Sequence, residues 1–289
     1  MRISQKILEE VGVELLRRAA IILPKDVREA LKSAYENETS ATAKIELKNM
    51  LDNIESAEKL GKPICQDTGI VSFYIKAREI PNFGELEEAL RKATAEATKK
   101  VPLRPNAVHP ITRKNPGTNV GEHIPNIIWL PTDIDHVEIT AFIKGAGSEN
   151  MSALEMVTPG LGVKGIKKFV LDTVVKAGAQ PCPPIIVGVG VGGTVDLTFK
   201  LAKLALLRPI GSRNPEKEVA NLEEELFKLI NQTGIGAMGL GGKTTCLDVK
   251  IEYAHCHTAS LPVGVNIQCW ADRKATAKIS PDGSVEYLG

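Results

Sequence analysis

The stretch PPIIVGVGVGG (183–193), running directly into TVDLTFKLAKLALL (194–207), decides the fold class. Its first part is an apolar run that ends in glycines, which reads as a buried strand. Its second part places apolar residues at helical spacing. Strand, tight turn and helix therefore follow one another, as in an α/β protein. Outward from this unit the alternation continues. VEITAFI (137–143) reads as a strand before a glycine-rich turn, and GVKGIKKFVLDTVVKAG (162–178) reads as a helix ended by Gly178. LDVKIEYAH (247–255), VGVNIQCW (263–270), KATAKI (274–279) and SVEYL (284–288) read as closing strands. The first hundred residues are mostly helical. Ile3, Ile7, Val11 and Leu15 form an apolar stripe, a second helix runs from about Pro24 to Tyr35, and Ser40 caps a third that ends near Gly61. FGELEEALRKATAEATKK (83–100) is a charged amphipathic helix, and IVSFYIKA (70–77) is the one strand-like run of this half. The expected architecture is a single α/β domain over residues 1–289, with a helix-rich portion 1–100 and a portion 101–289 holding a mixed sheet with flanking helices. Residues 101–131 are proline-rich and aperiodic, and loops of that length are usually functional or disordered.

Composition narrows the function classes. The 289 residues carry 36 basic and 35 acidic side chains, a net charge of +1, which is no basic footprint for nucleic acid. Aromatics make up only 4%, too few for base-stacking platforms. No run approaches about 18 uncharged apolar residues, so no membrane span is expected. MRISQKILEEVG lacks an apolar core and carries Glu9 and Glu10 early, unlike a signal peptide. Five cysteines in such a chain point to the cytoplasm and favour metal or reactive roles over disulfides.

Several motifs carry possible chemistry. Gly188–Gly193 matches G-x-G-x-x-G between a strand and a helix, where backbone N–H groups can receive a phosphate. A dinucleotide site also needs an acid about 20 residues on, at a strand end. That region is the loop RPIGSRNPEKE, so a tight strand-to-helix turn is the plainer reading. Gly239–Thr244 imitates a P-loop, but Ala237 stands where its first glycine belongs. A glycine-rich loop around Lys243 can still hold an anion. His255, Cys256 and His257 offer at most three zinc donors, with no C-x-x-C to complete them. Among the cysteines, Cys246 and Cys256 lie inside apparent strands. Cys65, Cys182 and Cys269 lie at polar, Pro- or Gly-marked ends of elements. A buried apolar cysteine is the ordinary reading of each. Three thiolates can also hold an iron–sulfur cluster and leave one iron open as a Lewis acid.

Read together, KPICQDTG (62–69), PLRPNAV…GTNVGEHIPN (102–126), KGAGSENMSAL (144–154), PCPPIIVGVGVGGT (181–194), GIGAMGLGGKTT (234–245) and HTASLPVGVNIQCWADR (257–273) cover nearly the whole chain. In this order they resemble the N-terminal domain, or α subunit, of the class I iron–sulfur fumarases and L-tartrate dehydratases. The resemblance implies a [4Fe–4S] cluster on Cys65, Cys182 and Cys269, with Cys246 and Cys256 matching no ligand position. Leu261 stands where the family often has a further cysteine, a departure that touches no ligand. The implied reaction is reversible addition of water across a dicarboxylate double bond, as in fumarate to (S)-malate. L-Tartrate or a methylated diacid is the alternative substrate.

The resemblance also implies roles by position. Gln66 and Asp67 flank the cluster and meet substrate, with Asp67 an acid/base group for the departing hydroxyl. Arg104 receives a substrate carboxylate, with Arg113 its near rival. Gly145 or Gly147 brings a backbone N–H to the substrate, and His257 lies near it. Lys243 is a further candidate for binding the dianion. The family's remaining arginines and its proposed threonine base belong to a C-terminal domain. A separate β subunit is therefore the expected partner, in an α2β2 assembly. Two other classes stay open: a nucleotide-binding protein using Gly188–Gly193, and a non-catalytic subunit with structural cysteines.

Overall fold

The computed structural model describes residues 3–79 and 82–288. The elements run in the order α1 (Gln5–Ile21), α2 (Lys25–Asn37), α3 (Ala41–Leu60), β1 (Ile70–Ala77), α4 (Phe83–Lys100), β2 (Asn126–Pro131), β3 (Val137–Lys144), α5 (Ala146–Glu149), β4 (Ala153–Val157), α6 (Gly162–Ala177), β5 (Ile185–Gly192), α7 (Val195–Ala205), α8 (Lys217–Gln232), β6 (Cys246–Ala254), β7 (Leu261–Gln268), β8 (Arg273–Ile279) and β9 (Val285–Leu288). This is an α/β fold with its helices concentrated early, as the periodicities predict. The chain forms two compact units that interleave along the sequence.

The first unit comprises the residues up to Lys25, Asn53–Ala146, and Arg273 onward. Its sheet has the order β2-β1-β3-β8-β9. β1 pairs parallel with β2 and antiparallel with β3, so Ser72 faces Asn126 on one side and Phe142 on the other. α1 begins at a Ser4 cap whose hydroxyl accepts from Ile7 N at 3.3 Å. Its stripe of Leu8, Val11, Leu15 and Leu16 packs in one core with Leu90 of α4 and with Phe73, Ile75 and Ile139 of the sheet. Several of these side chains lose all solvent contact, and each contributes about 1.5–3 kcal/mol of transfer free energy. β2 lies within the stretch expected to be aperiodic. It is a sheet edge, its Trp129 is 41% exposed, and so it shows no clean apolar alternation.

The second unit comprises Asp26–Asp52 and Gly147–Asp272. Its sheet has the order β4-β7-β5-β6, with β5 parallel to β6 and antiparallel to β7. The core joins Val187 and Val189 of β5 to Val249, Val263, Val265 and Ile267, with Val170 of α6 and Leu226 of α8. α8 has no counterpart among the sequence expectations, although Leu222, Leu226 and Ile230 recur every four residues. The glycines of the opening motif lie inside β5 rather than after it. A methyl group on Gly188 would overlap Ala202 O, and one on Gly190 would overlap Thr198 O. Bare Cα atoms thus let α7 lie directly on the strand.

Candidate active site

The turn carrying Cys65 is pinned at both ends within the first unit. Gly61 (φ 62°) closes α3, and Lys62 N donates to Ala57 O at 3.0 Å. Buried Ile64 donates to Ala20 O at 2.9 Å and accepts from Asn53 Nδ2 at 2.9 Å. Beyond the turn, buried Thr68 clasps Arg104: its hydroxyl accepts from Arg104 N at 2.9 Å and donates to Arg104 O at 3.3 Å. Between these anchors the backbone bows outward. Cys65 is half-buried, with Sγ 3.6 Å from Gln66 Oε1. Gln66 and Arg104 are both exposed, and Arg104 Nη1 donates to Gln66 O at 3.5 Å.

Asp67 is the centre of this region. Oδ1 accepts from Gly69 N at 2.9 Å and from Asn106 Nδ2 at 3.1 Å, and Oδ2 accepts from Ala146 N at 2.7 Å. The carboxylate therefore caps backbone N–H groups, the plainer role expected for a turn acid, while staying half-buried. Gly145 stands against it. A methyl group there would lie 2.9 Å from Asp67 Oδ2 and 3.1 Å from Arg273 Nη2. Fully buried Arg273 donates from Nη1 to the Asp67 carbonyl.

Buried Asn119, at φ 55°, ties the long loop to this group. It accepts from Asn106 N at 2.6 Å and donates to Arg104 O at 2.8 Å. Arg113 lies instead in the tip turn, its N bound to His109 O. The fold thus gathers Gln66, Asp67, Arg104 and Gly145. It adds Thr68, Asn106, Asn119 and Arg273, which the residue-by-residue reading missed. All four sit inside the family-like stretches, but nothing in their spacing singles them out.

In the second unit, Cys182 takes the left-handed φ of 55°, uncommon for a residue with a Cβ. Its N donates to Ala179 O, and its O accepts from Trp270 N at 3.3 Å, next to Cys269. The antiparallel register Ile186↔Gln268 sets the start of β5 beside the end of β7, so the Cys182 and Cys269 turns adjoin. Both residues are half-buried. Gly147 belongs here as well, where a methyl group would stand 3.0 Å from Gln180 O.

The other thiols differ. Burial, with the Asp248 charge beside it, pushes the Cys246 thiol far above the ordinary range. Cys256 is exposed, with Sγ 3.1 Å from Ser260 O. None of the five cysteines is in a disulfide. His257 is exposed rather than in a core, and its Nδ1 accepts from Ala259 N at 3.0 Å. Among the described residues no three His, Cys, Asp or Glu side chains form a site for a single metal ion, which leaves the His255–His257 triplet without zinc geometry.

The Lys243 loop holds an anion, and that anion is the chain's own. Glu38, 4% exposed, accepts Thr39 N and Ser40 N on Oε1 and Lys243 N on Oε2, at 2.8–2.9 Å. Burial alone would raise this carboxyl. The N–H groups of Ser40, Lys243, Thr39 and Thr244 outweigh it and hold the carboxyl below its ordinary value. The Lys243 side chain is exposed, its ammonium 3.4 Å from Asn37 O.

The profile of the fumarate hydratase (fumerase) family matches residues 9–278. The chain belongs to the fumarate hydratase family of hydro-lyases. A Methanocaldococcus jannaschii protein, provisionally named as an L(+)-tartrate dehydratase subunit alpha, is 53% identical over 283 residues, which cover 96% of this chain and 99% of the relative. The L(+)-tartrate dehydratase alpha subunits of Escherichia coli and Shigella sonnei are 36% identical over 283 residues, covering 97% of this chain and 93% of theirs.

Proposed function

We propose that this chain is the α subunit of a [4Fe–4S]-dependent hydro-lyase acting on a C4 dicarboxylate, with Cys65, Cys182 and Cys269 as the cluster ligands. The observation that carries the reading is the grouping of Gln66, Asp67, Arg104 and Gly145 beside the Cys65 turn. The donor chemistry agrees. The three thiols are half-buried, two of them adjoin, and the excluded Cys246 resists ionisation. When bound, the cluster supplies an open iron that acts as a Lewis acid on the departing oxygen.

The chain's own residues do the rest of its share. Asp67, steadied by Gly69 N, Asn106 and Ala146 N, exchanges a proton with the substrate oxygen at Oδ2. Arg104 presents its fork to a substrate carboxylate. Gln66 adds a side-chain amide, and Gly145 or Gly147 adds a backbone N–H. The Lys243 ammonium faces solvent and takes part in holding the dianion. His257, with Nδ1 engaged by Ala259, offers Nε2 to the substrate.

The relatives' names favour L(+)-tartrate as substrate, and the family's name favours fumarate and (S)-malate. Loss of water from a 2,3-dihydroxy diacid leaves an enol that relaxes to a 2-oxo diacid, so the two chemistries differ in product. The second clamp and the base opposite the leaving hydroxyl come from a β subunit. We place the α2β2 complex in the cytoplasm, where thiolates stay reduced. All 289 residues act as one module of that complex.

The test is to reconstitute the chain anaerobically with its β partner and assay tartrate, malate and fumarate. Turnover by the pair, and none by this chain alone, is the expected result. Substantial turnover by the single chain would overturn the split site.

A further inference from the structure

We infer that Asn119 is the positioning residue of Arg104: its buried side-chain amide fixes the backbone from which the guanidinium reaches a substrate carboxylate, and ties that backbone to the core helix α4. The inference deepens the hydro-lyase reading and rests on its assignment of Arg104. It gives a part in substrate binding to a side chain that is itself only 2% exposed.

Arg104 stands on irregular backbone. Residues 102–109 lie in no helix or strand, and Pro105 has no N–H to offer. Around Arg104 the polar backbone groups are met by side chains instead. Arg104 N donates to the Thr68 hydroxyl at 2.9 Å, and Pro105 O accepts from Asn115 Nδ2 at 2.6 Å. Asn119 takes the largest share. Its Nδ2 donates to Arg104 O at 2.8 Å, and its Oδ1 accepts from Asn106 N at 2.6 Å and from Ala107 N at 3.2 Å. One amide thus spans the backbone from the Arg104 carbonyl to the third residue on.

The second donor of the amide leads into the core. Nδ2 also donates to Thr98 Oγ1 at 3.1 Å, near the C-terminal end of α4, and the Thr98 hydroxyl hydrogen serves Thr94 O at 2.8 Å or Thr118 O at 3.0 Å. Leu90, Ala93 and Ala97 of the same helix are fully buried. Two donors and two acceptor lone pairs are all that a side-chain amide can offer, and Asn119 uses each of them. A close-packed helix is a stiff reference, and the amide passes its position on to an exposed arginine.

Asparagine meets both demands of position 119. Its φ of 55° is in the left-handed region, which asparagine enters more readily than most side chains. Glycine would accept that φ but brings no amide. Aspartate would keep the two acceptor contacts and lose both donors. The loss falls on Arg104, because the Asn106 side chain is held from the other direction, by Asp67 Oδ1 at 3.1 Å and Gly69 O at 3.3 Å. Arg104 O would keep the longer bond from the Thr68 hydroxyl, at 3.3 Å. Fixing the root of a long side chain lessens the freedom that binding must remove, so carboxylate affinity is what Asn119 controls.

A double-mutant cycle tests this, read as the calorimetric Kd of the reconstituted complex for succinate, a C4 dicarboxylate with no hydroxyl to lose. Asn119→Gly and Asn119→Asp should each raise Kd about 10-fold, with iron content and the absorption band near ~400 nm unchanged. In the Arg104→Ala background the same substitutions should change Kd less than about twofold, because the guanidinium they misplace is gone. During turnover they should raise KM more than they lower kcat. Equal fold-losses in both backgrounds would make Asn119 a general prop of the loop and overturn the inference, as would a wild-type Kd in either variant. If Asn119→Gly does not assemble, Asn119→Asp carries the cycle. A crystal structure of the wild-type complex with succinate needs no variant: Arg104 should meet a carboxylate with its bond from Asn119 intact, and an Arg104 backbone released from Asn119 would overturn the inference. An unchanged Kd for Arg104→Ala alone would bring down that arginine's place in the proposed function and this inference with it, whereas additive losses would bring down the role of Asn119 alone.

Discussion

Asp67 and Glu38 are both carboxylates held by backbone N–H groups at glycine-rich turns, yet one is sealed and the other is left open. Glu38 receives N–H groups from two segments, is 4% exposed, and has Gly242 so close that a methyl group there would lie 2.7 Å from Oε2. Asp67 receives Gly69 N, Ala146 N and the Asn106 amide and stays half-buried, with Gly145 so close that a methyl group there would lie 2.9 Å from Oδ2. The difference teaches how one local device serves two ends. Where donors close on a carboxylate from every side, it becomes a structural peg joining Lys243 to α2 and α3. Where the donors leave a carboxylate half-buried, as at Asp67, it stays within reach of solvent.

The sharpest way to break this comparison lies two residues from Asp67. Cys65→Ser, Cys182→Ser and Cys269→Ser should each abolish the cluster, seen as lost iron and a lost absorption band near ~400 nm. Cys246→Ser and Cys256→Ser should keep it. Full iron in any of the first three would remove the site from around Asp67.

Next come the two carboxylates themselves. Asp67→Asn should lower kcat by about 10²–10⁴ and, because the new side-chain amide meets at least one of three N–H donors, also cost about 1–3 kcal/mol of unfolding free energy. Glu38→Gln should instead destabilise the fold by about 3 kcal/mol in urea titration while the folded complex keeps its kcat. Equal losses of kcat from both would erase the distinction between peg and reactive acid.

A smaller effect separates the arginines. Arg104→Lys keeps the charge but loses the fork, and should lower kcat/KM about 10–100-fold, in line with about 1.5–3 kcal/mol for a hydrogen bond to a charged group. Arg113→Lys, altered only at the loop tip, should leave kcat/KM unchanged. Normal kinetics for the first with a crippled second would exchange their roles.

The smallest effect is in pH. The Glu38 carboxyl is depressed in the fold, so its contribution is fully present above its unfolded value of about 4.5 and fades as pH falls through the lower folded value. Denaturation titrations from near neutral into this acid range should show that loss in the wild type and not in Glu38→Gln. A parallel acid loss in the variant would assign it to other carboxylates.

Much of the fold was legible because period and punctuation are local. β1 and α4 fall on the residues that alternation and amphipathic charge mark out, and Gly178 caps α6 as its pattern predicts. β2 and β4 escaped, since both are sheet edges whose partners, β1 and β7, are distant in sequence. Asp67, Arg104 and Gly145 were singled out through whole motifs, not through spacing. Arg273 closes one of those motifs, but nothing local marks its contact: 206 residues separate it from the carbonyl it binds.

By itself the sequence determined the helix and strand types, the family, and the residues able to ligate, pair or ionise, because these depend on side-chain chemistry and short-range periodicity. Only the tertiary structure decided which anion each glycine-rich turn receives. Gly188 and Gly190 admit a helix, the Lys243 loop closes on Glu38, and Gly145 lets Asp67 and Arg273 come close to its backbone. A glycine states only that some backbone must be approached closely. What approaches it is set by packing between segments from about ten to about two hundred residues apart.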